Sequence, residues 1–186
     1  LVDCLTGVVP TVVNSGQHRL AAGVHCGGID ASGTAEIVLD AGEHWFLQGA
    51  MVIRGGARLT GSNVVLFFDR ASRFDFREQA QISLEGRRTG AFAGLVMAAT
   101  RDNAQPFNIS ADNVESLLGV IYVPSATITV EGTADVARES AWTVIVAKGL
   151  ALKGSPQLYI NADYDASSVP VPTGVGPRAG ESRLIR

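Results

Sequence analysis

Apolar and polar residues alternate in short runs along the chain, and the same run keeps returning. IDASGTAEIVL starts at Ile29, MVIRGGARLTG at Met51 and FDFREQAQISL at Phe74. ITVEGTADVA starts at Ile128 and LALKGSPQLYI at Leu150, with a weaker copy, FNISADNVESL, at Phe107. Each reads apolar, any, apolar or Ala, polar, then usually Gly, any, Ala or Pro, any, apolar. The starts are 22, 23, 33, 21 and 22 residues apart. A second series interleaves with the first: HWFLQG, NVVLFFD, AGLVMAA, LGVIYVP and WTVIVAKG, from His44, Asn63, Ala93, Leu118 and Trp142. The long interval of 33 holds extra residues around EGRRTGAFAG and TRDNAQPF, which read as loops bulging from one coil.

Alternation with period two marks strands, and a repeat of about 22 residues with several strands in it marks a parallel β-helix. One coil cannot bury its apolar face alone, so successive coils stack about 4.8 Å apart. Ile29, Ala31, Ile37 and Leu39 should point inward, followed by Ile53 and Leu59, then Phe74, Phe76, Ile82 and Leu84. The reading is an all-β, right-handed solenoid of about six coils, its hand set by the preference of parallel crossovers. An antiparallel β-sandwich is the alternative, but it leaves the 22-residue recurrence unexplained. A helix is expected only at DNVESLLG (112–119), where Asp112 can cap and Gly119 can stop a short turn.

The domain organisation follows. Residues 1–177 read as one β-helix domain, of which 1–28 form an N-terminal cap and first partial coil. Residues 178–186 read as a flexible tail. The tail sequence SSVPVPTGVGPRAGESRLIR cannot join a ladder easily, because proline lacks the donor. Residues 169–175 are expected to lie as a partial strap over the last coil, protecting its open edge, with disorder beyond Gly180.

Composition narrows the function classes. Of 186 residues, 46% are hydrophobic and 18% charged, and the net charge is −3. With no basic block beyond the two arginines of EGRRTG, nucleic-acid binding is not expected. No apolar run reaches the roughly 18 residues that span a bilayer. The chain begins at Leu1 without Met and shows no signal-peptide pattern, so it reads as a mature or partial ectodomain with its export signal or anchor upstream.

The residues with most chemical potential are His25 and Cys26, in LAAGVHCGGID. Neighbours on a strand point to opposite faces, which makes a thiol–base pair awkward. A metal would need more ligands than His18 and His44 supply. The segments LAAGVH and LDAGEH echo each other 19 residues apart, so His25 reads as a coil-edge ring. Cys4 and Cys26, the only two cysteines, read as a disulfide closing a loop of about 22 residues and tying down the first coil. In NADYDAS, Asn161, Asp163 and Asp165 resemble the start of a calcium loop but lack its Gly and distant Glu, so a plain turn leaving the last coil is preferred over a cation site. Asp112, Glu115, Asp135 and Glu139 read as scattered, with no shared coil position. Trp45 and Trp142 are potential sugar platforms, read here as core or edge packing. No catalytic residue, metal site or cofactor is expected.

HCGGI, LDAGEHWFLQGAMVIRGGARLTGSNVVLFF, LLGVIYVPSATITVEG, SAWTVIVAKGLAL and INADYDASSVPVPTGVGP together resemble the C-terminal region of TadG-like proteins of tight-adherence (Flp-type) pilus assembly systems of Gram-negative bacteria. The resemblance runs from about residue 20 to 177 and is most specific over 117–177. It implies a non-catalytic envelope protein, periplasmic or at the cell surface, anchored by an N-terminal transmembrane helix. Its partners would be pilin or other pilus assembly proteins. It also implies tyrosine at the position of His25 in related sequences, so that an aromatic ring suffices there. Two other classes remain open: a carbohydrate-active or carbohydrate-binding β-helix, and a scaffold like the bactofilins, self-associating through its coil ends.

Overall fold

The structure is a computed structural model that describes Cys4 and residues 8–175. The described residues contain strands and turns and no helix. The strands are β1 (Thr11–Leu20), β2 (Gly23–Cys26), β3 (Ile29–Leu39), β4 (Gly42–Leu47), β5 (Ala50–Ile53), β6 (Arg58–Gly61) and β7 (Val64–Phe68). They continue as β8 (Arg73–Glu85), β9 (Leu95–Ala99), β10 (Phe107–Gly132), β11 (Asp135–Val136), β12 (Thr143–Gly154) and β13 (Gln157–Leu158). All thirteen pair in parallel. The chain is a parallel β-helix of about seven turns with a period of about 22 residues.

Each coil has three faces. On the first, Ile29 pairs with Met51, Met51 with Phe74, Asn108 with Asp75, and Ile128 with Leu150. These are the alignments of the sequence copies. On the second face Ile37 pairs with Leu59, Leu59 with Ile82, and Val114 with Ile82 below and Val136 above. The third face stacks β2, β4, β7 and β9. The inward set expected from the alternation, from Ile29 through Leu84, is buried throughout. A column of rings runs through this core: Phe46 stacks on Phe68 at 5.5 Å, Phe68 meets Phe74 and Phe107 edge-on at 5.8 Å, and Phe74 stacks on Phe76 at 4.9 Å.

The recurrent glycine of the copies sits at the corner between the first and second faces. Gly33, Gly55, Gly132 and Gly154 all have positive φ there, in the left-handed region that a Cβ disfavours. Glu78 occupies the same corner at φ 59° and accepts the Gly55 N–H at 2.7 Å through its carboxylate. In the weak copy the corner is one residue shorter: Glu78 and Gln81 pair with Ala111 and Asn113. No left-handed residue is needed there, which is why that copy lacks the glycine.

Three expectations about the coils need correction. Residues 112–119 lie in β10 rather than in a helix. A one-turn helix is marginal alone, and strand pairing of Val114 on both sides outweighs the cap. The coil count is about seven rather than about six. Within 1–28, residues 11–26 form a coil with all three faces rather than a partial one, because β1 covers two of them against β3 and β2 supplies the third against β4. Its residues carry no copy of the repeat, since an end coil has only one neighbour to match.

Both loops of the long coil are present, at 86–94 and 100–106. The second is latched by buried Asn103, whose amide donates to the carbonyls of Asp69 at 2.6 Å and Ser72 at 2.8 Å. Residues 169–175 do form a strap, but it does not shield the open edge of the last coil, where Leu150 and Leu152 stay exposed. It runs down the outside of the third face, where Val169 is buried with Leu118, Val120 and Trp142. A Cβ on Gly94 would strike Pro170 and Pro172. The tail expected beyond Gly180, and all of 178–186, lie outside the described residues.

Candidate functional site

Cys4 and Cys26 form a disulfide with Cα atoms 5.6 Å apart and a sequence separation of 22. The turn after Cys26 explains its glycines. Gly27 and Gly28 have φ +80° and +76°, and a Cβ on Gly28 would run into the backbone of Ala50. Only glycine lets that corner stack so closely.

His25 is half-buried at the N-terminal end of the ring column, with its centroid 4.9 Å from that of Phe46. It is an aromatic ring packed on an aromatic ring, rather than the edge residue expected. His44, its echo, is fully buried. In the sheet His25 pairs with Phe46 and Gly23 with His44. The echo is therefore two residues out of step with the ladder, and the two imidazoles meet diagonally. Nε2 of His25 lies 3.0 Å from Nδ1 of His44, and Nε2 of His44 lies 2.8 Å from the Asp40 carbonyl. A carbonyl only accepts, so His44 carries its proton on Nε2 and accepts from His25 at Nδ1. Burial lowers the His25 pKa to about 4, helped by the neighbouring His44. Burial also lowers that of His44, against the opposing pull of the Asp40 carbonyl and charge. Both rings are thus held neutral at pH 7, as structural donors and acceptors.

The outside of the second face carries a polar groove along the rod. A cleft of about 380 Å³ is lined by Arg19, Asp40, Thr60, Ser62, Ser83 and Glu85. It shares Thr60 and Ser83 with a cleft of about 300 Å³ that adds Arg58, Gln81 and Glu115. Glu115 in turn lines a third, of about 160 Å³, with Asp112, Asp135, Arg138 and Glu139. The four acids read as scattered are therefore gathered at one place. Asp112 and Asp135, and Glu115 and Glu139, are 23 and 24 residues apart, close to the coil period, and this was the signal that could have found them. Asp135 forms an ion pair with Arg138, whose guanidinium lies 5.3 Å from the centre of the Tyr159 ring. Among the described residues no group of three or more His, Cys, Asp or Glu side chains is arranged to hold a metal ion.

The turn at 161–165 places Asn161 inward. Its amide donates to the carbonyls of Ser140 at 2.7 Å and Arg138 at 3.2 Å, while Asp163 and Asp165 are exposed. Asn161 thus latches the chain as it leaves the last coil. Of the two tryptophans, Trp142 is fully buried beneath the strap. Trp45 is half-buried on the outer third face, stacked on Phe67 at 4.0 Å and edge-on to Phe92 at 6.5 Å. No known protein family, curated protein or solved structure matches the chain.

Proposed function

We propose that this chain is a non-catalytic structural domain of the bacterial envelope that works outside the cytoplasm in a tight-adherence pilus assembly system. The observation that carries the compartment is the Cys4–Cys26 disulfide, since cytosolic thiols are kept reduced. The pilus role rests on the TadG-like resemblance. Its most specific stretch, 117–177, supplies Leu118, Trp142 and Val169, which pack together under the strap. The polar groove has mixed charge, and Asp135 is already paired with Arg138, which favours a recognition surface over a reaction centre. Site-specific photo-crosslinking from groove positions such as Gln81, in cells assembling the pilus, should capture pilin or another assembly component. Absence of any such adduct, with the protein present and oxidised, would refute the pilus role.

A second reading, a carbohydrate-binding β-helix, draws on the length of the groove and its floor of hydroxyls from Thr60 and Ser83. Binding of acidic or neutral glycans that is lost in Thr60→Trp would favour it.

A further inference from the structure

The two ends of the rod differ. At the N-terminal end β1 presents Asn14, Ser15, Gln17 and His18, all exposed, beside one exposed apolar side chain, Val12, and the disulfide holds Cys4 near it. At the C-terminal end, Leu150 and Leu152 continue the inner column above Ile128 and Val130. Those two are buried at 1% and 0%, whereas Leu150 and Leu152 are 46% and 56% exposed. Ile160 nearby in sequence is also 56% exposed. Among the described residues, strand β12 pairs with β10 alone, so residues 149–154 keep a free edge of backbone donors and acceptors above an open apolar core. Such an edge is a template for another strand.

The order of residues along this edge selects the strand that fits. Lys148-Gly149-Leu150-Ala151-Leu152-Lys153-Gly154 is close to a palindrome about Ala151. Two copies set antiparallel with Ala151 facing Ala151 place Leu150 of each opposite Leu152 of the other, all four on the inner side. Lys153 then faces Gly149, and Lys148 faces Gly154. No lysine faces a lysine, so the pairing escapes the cross-strand repulsion that these charges impose in other registers. A head-to-tail contact would instead press the apolar edge against β1, whose exposed side chains are mostly polar. We infer that the C-terminal end of the rod is a two-fold interface, at which residues 149–154 pair antiparallel with those of a second copy. The contact is isologous and closes at two chains. The product is a rod of doubled length with both stapled ends outward.

Light scattering of the intact chain across a concentration series tests this. The expected mass at high concentration is twice 19.5 kDa. Leu152→Lys should halve that mass while leaving the circular dichroism spectrum unchanged, since the side chain is more than half exposed. Ala151→Cys should give a covalent dimer on mild oxidation, because the two positions face each other across the axis. A monomer at the highest soluble concentration would overturn the inference. So would a dimer that survives Leu152→Lys, a dimer that Ala151→Cys fails to cross-link, or open-ended polymers.

Discussion

The indole N–H of Trp142 donates to the hydroxyl of Ser167 at 3.2 Å, joining the strap to the coil that it covers. Val169 then fills the space beside Leu118 and Val120. A charge at Val169 should therefore peel the strap while the coils remain. Val169→Asp is expected to cost about 2–3 kcal/mol locally and to red-shift the fluorescence of Trp142. The far-ultraviolet circular dichroism should hardly change. An unshifted spectrum would mean that the strap does not shield the ring.

The paired imidazoles make stability depend on pH in a definite sense. The folded His25 pKa lies near 4, below its ordinary 6.5. Above pH 6.5 neither state binds the proton. Between 6.5 and 4 the unfolded chain takes up a proton that the fold refuses, so stability falls as pH falls and levels off below 4. His44 shifts in the same direction and adds to the slope. Because His25 is about half in water, its share is on the order of 1 kcal/mol. Urea denaturation at pH 7.5 and pH 4.5 should show the loss. His25→Phe, which keeps a ring on Phe46, should flatten the dependence, and an equally steep slope in that variant would refute the assignment.

Removing the disulfide tests how much the first coil relies on it. A closed loop of this length constrains the unfolded chain by about 3 kcal/mol. Cys4→Ser with Cys26→Ser should lower stability by about that amount, and reductant should do the same to the parent chain. Hydrogen exchange should rise first in β1 and β2. A protein indifferent to both treatments would show that the coil stands without its staple.

Ala137 is buried with φ +62°, in the left-handed region. Ala137→Gly removes the Cβ penalty, partly offset by the entropy glycine loses on folding, so it is expected to stabilise the protein by about 0.5–1 kcal/mol. Thermal melting measures this directly, and a lowered midpoint would contradict it.

How much of this was legible in the sequence depends on how each feature is written there. The first-face register was readable to the residue, because the inward alternation from Ile29 and the corner glycine repeat together. The coil formed by β1 and β2 was hidden, since Gln17 and His18 at an exposed end need not match the core pattern. The His25–His44 contact was half visible. The echo marked the pair, but the ladder is offset by two residues, and only the folded geometry brings the rings together. The acids around Arg138 were missed because they were sought at one sequence pattern, whereas coil stacking gathers residues that differ by one period.

The open edge of β12 has a bearing on how the rod comes apart. Each coil touches only the one before it and the one after it, so unravelling proceeds coil by coil from a loose end. The staple closes one end, which leaves fraying to start at Leu150 and Leu152 and travel towards β1. It soon meets the strap, which returns from the last coil over Trp142 to Gly94 and clips several coils together. Pulled from its C-terminus, the molecule gives up its clasp first and the soft coil of β12 next, while the staple holds the far end.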